Sequence, residues 1–490
     1  MAEIWHEERM LIDGRLVPAA SRATYGNVNP ATEEVVGVAA DGNADDMDDA
    51  IAAARRAFDE TDWALDHSRR VECIRQLHDA LTKHADELRA TTVAEVGCPI
   101  SLTYGPQVDA PIAGLPWLAD LVDSYAWESD LGIAEPFGMK TRRYTRREPV
   151  GVVGAITPWN YPVQINLAKA VPAMAAGNTV VLKPAPDTPW AATLLGKLVA
   201  EETDIPPGVF NVVTSSGHDV GQQLCEDPRV DMISFTGSTA TGTRVMTAAA
   251  TTIKRVFLEL GGKSALVALE DADIASVAAS AAFAATTHAG QGCANTTRLV
   301  LPRNKYREGI EALVETLTDW PSGDPTDPAM LMGPLIREEQ RQRVLHYINA
   351  GIAEGATVAI GGGIPEHLTR GYFVEPTVLI DVDPDATVAQ EEIFGPVLAV
   401  IPHDGDDHAV TIANNSKYGL SGAVISSSDE RALAVANRIR TGTVNVNGGV
   451  FYGVDVPFGG YRHSGVGREM GVAGFEEYLE IKSIAQGVKS

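Results

Sequence analysis

The sequence predicts an α/β protein of two closely packed halves, each organised around a parallel sheet. Short β-branched runs alternate with helical runs from residue 150 onward, which is the pattern of βαβ units. Hydrophobic residues make up 45% of the 490 positions and charged residues 21%, enough apolar mass for large cores. No flexible linker and no internal repeat divides the chain, so a cleft between two packed bodies is expected.

The first 40 residues read as short strands and turns, with Asn29-Pro30 and Asp41-Gly42-Asn43 as turn chemistry. A helix follows, capped by Asn43 or Asp45, with Met47, Ala50, Ile51, Ala54 and Phe58 on its apolar face. A second amphipathic run covers Arg69 to Glu95, and the pattern stays helical to about residue 125. Residues 126–149 hold the densest basic cluster, Arg142, Arg143, Arg146 and Arg147 around Tyr144, and read as a solvated hairpin.

Strands are then expected at Val150–Ile156, Thr179–Leu182, Val209–Val213, Met232–Phe235 and Val256–Leu260. Helices between them run to Gly177, over Thr188–Glu202 and over Thr239–Ala249, with Pro172 as a start or a kink in the first. A second α/β stretch follows, with strands at Ala265–Leu269, Val300–Pro302, Val397–Ile401 and Val444–Val446. Its long helices are Ile274–Ala289, Arg307–Leu317 and Glu338–Ala353. The closing FEEYLEIKSI alternates enough for a strand. Ligands of such sheets bind at the carboxyl ends of the strands.

A net charge of −26 argues against nucleic acid or an anionic membrane as the main partner. The four cysteines, Cys73, Cys98, Cys225 and Cys293, form neither CxxC motifs nor a disulfide framework. No zinc-ribbon or other metal-ligand spacing is present. The N-terminal MAEIWHEERMLIDG is acidic without an apolar core, so no secretory signal is expected. The longest apolar stretch, Ile274 to Ala285, is too short to span a bilayer. These features imply a soluble cytoplasmic protein.

Several residues can carry chemistry. Cys293, in THAGQGCANTTR, reads either as a small buried hydrophobe or as a nucleophile approached through a Gly-Gln-Gly backbone. Glu259 ends an apolar strand before two glycines; it points to solvent or, if buried, is raised toward a working general base. Gly262-Lys263-Ser264 matches the end of a Walker A motif, but Phe257 stands where a glycine is needed, so a P-loop is rejected. Asn160, between two prolines in TPWNYP, is a turn residue or a rigid donor for an oxyanion. Lys183 stands at a strand's carboxyl end. Gly237-x4-Gly242 opens a helix whose free amides suit phosphate, or makes an ordinary strand-to-helix turn.

Together TPWNYP, VVLKPA, FTGSTATG, LELGGKS, GQGC, EEIFGPV and PFGGYRHSGVGRE, in that order, resemble the signature blocks of the NAD(P)-dependent aldehyde dehydrogenase superfamily. NPATEEVVG near the start and YLEIKSI near the end fit as well. The resemblance implies a Rossmann-like cofactor domain (1–125 and 150–260), a catalytic α/β domain (261–465) and a small β oligomerisation arm (126–149 and 466–490), with a homodimer or homotetramer as the assembly.

By that resemblance Cys293 attacks the aldehyde carbonyl, and the Asn160 amide and the Cys293 N–H hold the oxyanion. Hydride passes to the nicotinamide, and Glu259 activates the water that releases the acid; its presence argues against acyl transfer to coenzyme A. Lys183 would contact the adenosine ribose, Ser238 and Trp159 the pyrophosphate, and Glu392 and Phe394 the nicotinamide half. Gly237 and Leu260 would complete the cofactor wall. Pro186 stands where many NAD-preferring members have Glu, so NAD is expected with NADP possible. Arg462 replaces the more usual lysine. Tyr161, Ile165, Ala168, Phe451, Tyr452, Phe458 and Asn295 would line the substrate tunnel, which suits an uncharged apolar or aromatic aldehyde. The alternative is a quaternary-ammonium aldehyde in an aromatic box. No metal is required.

Overall fold

The computed structural model describes residues 4–5 and 7–488. Residues 1–3, 6 and 489–490, which belong to the acidic N-terminal stretch and the expected arm, lie outside them. An eight-stranded sheet runs in the order Gly465–Val466, Arg255–Glu259, Met232–Thr236, Val152–Ile156, Thr179–Lys183, Phe210–Val212, Met10–Ile12, Arg15–Val17. Its five inner strands are parallel and its edges antiparallel. Val152–Ile156 has Thr179–Lys183 on one side and Met232–Thr236 on the other, so the order reverses there. That reversal opens a crevice at the carboxyl ends, and residues 157–160 and Gly237-Ser238 stand on its two lips.

The second sheet has seven strands, in the order Thr357–Ile360, Thr377–Ile380, Val397–His403, Arg298–Pro302, Ala265–Ala268, Gly422–Ile425, Asn445–Val446. Only the first pair is antiparallel. Alternation along the strands divides each sheet's apolar residues between two faces. Val153, Val180 and Met232 pack on one side of the first sheet and Val152, Val181 and Ile233 on the other. In the second sheet the same split separates Val267 and Val300 from Leu266 and Leu299. The chain passes from one sheet to the other between Glu259 and Ala265.

A third sheet joins Glu128–Ala134, Thr141–Pro149 and Leu479–Gly487. Its arginines are partly neutralised in place, Arg142 by Asp130 at 2.9 Å and Arg146 by Glu128 at 3.6 Å. Gly465–Val466 pairs with the strand that carries Glu259, in the large sheet.

Four local expectations are corrected. The run Arg69–Glu95 is two helices, His67–Lys83 and Ala85–Val96, broken at His84 (φ −102°, ψ 16°). The His84 ring faces Glu87 at 3.0 Å and Glu202 at 2.7 Å. Phe58 is half-buried under the Arg55 guanidinium, and Ala57 takes the core position. Phe475 and Glu476 belong to the helix Gly471–Glu476, so the terminal strand starts later, at Leu479. The helix from Ile274 ends at Thr286, because His288 and Ala289 both take left-handed φ of 52°. Asn43 is confirmed as the cap of Ala44–Glu60, closing a capping box with Asp46.

One buried carboxylate ties three elements together. Glu95, fully buried, accepts from Asn27 Nδ2 at 2.8 Å, Trp190 N at 2.6 Å and Ala191 N at 3.0 Å. Burial pushes its pKa up to about 8 against those three donors. It thereby anchors the helix Pro189–Glu202, which follows the Lys183 strand end. Glu95→Ala strands three buried donors and should cost ~3 kcal/mol, read as a fall in the apparent urea or thermal midpoint. An unchanged midpoint would contradict this role.

Candidate active site

Three loops meet where the sheets adjoin, and backbone-to-backbone proximity decides their positions. A Cβ on Gly262 would lie 2.7 Å from the Cys293 carbonyl oxygen. One on Gly290, whose φ is +72°, would lie 2.1 Å from the Gly395 carbonyl oxygen. Such contacts exclude any side chain. They bring LELGGKS, GQGC and EEIFGPV together although these segments belong to different strand connections.

After the left-handed His288 and Ala289, the chain turns through Gln291, which is fully buried. Its side chain donates to the His288 carbonyl at 3.1 Å and accepts from Ile336 N at 2.9 Å. Cys293, partly exposed, follows in the wall of an apolar cavity. Enclosure raises its thiol pKa, and Glu259, Glu392 and Glu469 raise it further. Asn160, 3% exposed, donates from Nδ2 to the Gln291 carbonyl at 2.8 Å. That amide nitrogen carries a second hydrogen, and Asn160 lines the same cavity as Cys293.

Glu259 ends its strand opposite Thr236 on one side and Gly465 on the other. It is 2% exposed and neither carboxyl oxygen has a hydrogen-bond partner. Burial, with Glu469 as the next contributor, holds its pKa well above the usual carboxylate range; Lys169 and Arg468 pull the other way. The ion pair Glu469–Lys169 (3.0 Å) is buried behind it. Lys169 also reaches Ser234 Oγ at 3.3 Å, which meets the Tyr478 hydroxyl at 3.0 Å. Sequence reasoning assigned no role to Glu469 or Lys169. The only sequence signal was Glu469's place in the PFGGYRHSGVGRE block.

The cavity has a volume of about 470 Å³ and takes in Cys293, Glu259, Asn160, Asn295, Tyr161, Ile165, Phe451, Tyr452 and Phe458. Among the described residues, no Lys, Arg or His lines it. The Phe451 and Phe458 rings stack at 5.6 Å and 8°, and Tyr161 meets His288 edge-on at 5.3 Å. Asn295 turns its amide to the Thr287 carbonyl at 3.3 Å. Ala168 lies elsewhere, in an adjoining apolar cavity of about 50 Å³ with Leu115, Leu118 and Val454. Tyr452, Gln164 and Met470 border both cavities.

On the opposite side of Glu259, Ser238 caps the helix Thr239–Ala249 and accepts from Thr241 N at 3.2 Å. Its free first-turn amides face outward at a strand's carboxyl end, a site suited to a pyrophosphate. A Cβ on Gly237 would strike the Phe235 ring, and Leu260 packs under Gly242. Trp159 and Phe394 meet edge-on at 5.4 Å, the latter in a left-handed φ of 62°. Glu392 accepts from Gly262 N at 3.0 Å, and burial raises it to about 7. Lys183 is buried, turned to the Pro184 carbonyl at 3.2 Å and lowered to about 8 by burial. Pro186 is half-buried, and Asp187 beside it is taken up by Arg337 at 2.8 Å. Arg462 is exposed and donates to the Ser416 carbonyl at 2.7 Å, away from this wall. These residues fit an extended dinucleotide between Lys183 and Glu392. Among the described residues no His/Cys/Asp/Glu group could hold a metal ion, and no helix is long and apolar enough to cross a membrane.

Comparisons with known proteins agree with this geometry. The model of the aldehyde dehydrogenase family matches residues 16–484. The chain is 42% identical to 3-succinoylsemialdehyde-pyridine dehydrogenase of a Pseudomonas species, over 96% of this chain and 97% of that one. Among solved structures it is similar to a mutant of aldehyde dehydrogenase C from Pseudomonas syringae complexed with NAD+ and octanal. The identity is 41% and the TM-score 0.92, over 97% of this chain and 96% of that one. Betaine aldehyde dehydrogenase from Staphylococcus aureus in complex with NAD+ is 34% identical with a TM-score of 0.95, over 98% and 95% of the two chains.

The raised thiol of Cys293 has a direct consequence. Iodoacetamide should label Cys293 slowly near neutral pH and faster as pH rises, while the buried Cys73, Cys98 and Cys225 stay unlabelled in the folded protein. Glu259→Gln replaces a carboxyl that burial keeps protonated with a neutral amide, and should leave labelling near neutral pH within about threefold of wild type. A much faster rate would reveal an ionised Glu259 beside the thiol and contradict this.

Proposed function

The chain belongs to the aldehyde dehydrogenase family, and on that premise we propose that it oxidises an uncharged, apolar or aromatic aldehyde to the free acid with NAD. The observation that carries this reading is the single cavity that holds a thiol, a donor amide and an unpartnered buried carboxyl, with no cationic side chain in its described lining. When bound, the nicotinamide supplies the hydride acceptor, which Glu392 and Phe394 would hold; Ser238, Trp159 and the helix behind Ser238 would hold the pyrophosphate, and Lys183 the ribose.

Cys293 adds as a thiolate to the carbonyl carbon, forming a C–S bond and an oxyanion. The free N–H of Asn160 and the Cys293 backbone N–H stabilise that charge, each such donor being worth roughly 3 kcal/mol of barrier. Loss of hydride from the same carbon leaves a thioester, whose sulfur is neutral. Glu259 then takes a proton from water, hydroxide attacks the acyl carbon, and the thiolate leaves with the acid released. Burial orders these events. Cys293 and Glu259 each raise the cost of charge on the other, so the carboxyl stays protonated while the sulfur is anionic. Once acylation removes the sulfur's charge, Glu259 ionises more readily and serves as base. No coenzyme A is called for.

The substrate class follows from the lining. A second carboxylate on the aldehyde would be buried beside Glu259 and Glu469 without a cation to pair it, at a large desolvation cost. An apolar recess of about 50 Å³, with Ala168 in its wall, adjoins the tunnel behind Tyr452 and Met470. Octanal in one relative's structure and the pyridine-bearing aldehyde named for another agree with such a substrate. A quaternary-ammonium aldehyde is the second reading, suggested by the aromatic lining and by the betaine aldehyde dehydrogenase likeness. Phe451 and Phe458 stack on each other, however, and so present one flat wall instead of a box.

NAD is the first choice, in keeping with the NAD+ bound in similar structures; Pro186 leaves the ribose pocket short of the carboxylate that would repel a 2′-phosphate, so NADP is the second. The exposed Leu131, Ile133, Phe137, Met139 and Ile481 on the three-stranded arm support a homodimer or homotetramer. Free cysteines throughout the chain suit the cytoplasm. With NAD, kcat/KM for octanal and benzaldehyde should exceed that for succinic semialdehyde and betaine aldehyde by at least about tenfold, read by reduced-nicotinamide absorbance. A charged aldehyde as the best substrate would overturn the assignment.

A further inference from the structure

The segment Ile100–Ala113 contains a π-helical turn, Thr103–Gln107, with Pro106 inside it and Gly105 outside helical geometry (φ −140°, ψ −118°). Wide turns of this kind re-aim side chains and recur at functional sites. Here the turn sends Gln107, fully buried, across to the loop that carries Asn160, where its Nε2 donates to the Asn160 carbonyl at 2.9 Å. That carbonyl stands ahead of the helix Pro162–Ala175, whose first accepting carbonyl is Tyr161's. The Gln107 amide and the His288 ring are the polar groups that meet this carbonyl, and the Gln107 bond is the directional tie at 2.9 Å. Asn160 Oδ1 has no partner, so the side-chain amide is tied by Gln291 at its nitrogen, and Gln107, with the His288 ring beside it, fixes the backbone from which it projects. Pro106, next in chain, lines the substrate cavity, and Ala110 and Pro111 line the adjoining recess.

We propose that Gln107 is a positioning residue for the oxyanion step, holding the Asn160 amide in line with Cys293 from the tunnel wall. This rests on the aldehyde-oxidising reading above. The residue touches neither substrate nor cofactor in this role; it acts through Asn160. Gln107 Oε1, also buried and unpartnered, leaves the side chain with a single directional tie. The titratable groups packed about this carbonyl are His288, whose ring faces it and is held near pKa 4 by burial, Tyr161 and Cys293. His288 is therefore neutral across the working pH range and supplies no competing charge.

The test uses the intact enzyme with NAD and octanal. Gln107→Leu keeps the volume and removes the donor; kcat should fall by about tenfold or more, with KM for NAD within twofold of wild type. Gln107→Glu keeps a donor only while its carboxyl is protonated. Its kcat relative to wild type should therefore be highest at low pH and decline as pH rises, a readout that packing alone would not move. A kcat for Gln107→Leu within twofold of wild type, or a Gln107→Glu ratio flat with pH, would overturn the positioning role while leaving the enzyme's reaction in place. Wild-type protein inactive on every aldehyde would overturn both.

Discussion

The burial of Glu259 in a largely apolar chamber, with no hydrogen-bond partner for either oxygen, is the constraint on which the rest of the site depends. An isolated ionised carboxylate there would be costly, and burial accordingly holds its pKa above the usual carboxylate range. The thiol of Cys293 is subject to the same penalty and to repulsion from the same carboxylates. The buried Lys169–Glu469 pair tempers this field from behind. Lys169 lowers Glu259 and Glu469 raises it; Glu469 lines the cavity and the Lys169 ammonium does not.

The chamber exists because backbone replaces side chains where the two sheets adjoin. Gly262 against the Cys293 carbonyl and Gly290 against Gly395 draw the three loops closer than any substituted residue would allow. The same region collects left-handed non-glycine residues: His288 and Ala289 before the thiol, Phe394 on the cofactor wall, and Arg462 and Met470 in the return loop. Conformations of this kind persist where surrounding structure over-determines them. Here they aim Cys293 into the apolar cavity and Glu392 toward the dinucleotide side.

Much of this was legible in the chain before any coordinates. The strands on both sides of Lys183 and Glu259 announced themselves as β-branched runs between helices, and Asn43 stood with Asp45 as a candidate cap, with the structure deciding for Asn43. The signature blocks pointed to Cys293, Glu259 and Asn160, which the structure gathers in one cavity. What stayed hidden depended on distance in sequence. Glu469 reads as one acid among many until Lys169, far away on a helix, is seen beside it. Gln107 sits in a stretch whose composition suggests an ordinary helix, and only the π-helical turn turns its amide to Asn160. The break at His84 went unseen because apolar spacing continues across it. Ala168 was expected in the tunnel itself and occupies the recess beside it, since Tyr452 and Met470 stand between.

The proposed reaction passes through a covalent acyl intermediate on Cys293 that Glu259 alone clears. The most direct measurement mixes Glu259→Gln protein with NAD and octanal, quenches it after one turnover, and weighs the Cys293 peptide. One equivalent of reduced nicotinamide and an octanoyl group on Cys293 are expected. Steady turnover with an unmodified Cys293 peptide, or reduced nicotinamide formed with the acyl group on another residue, would contradict it.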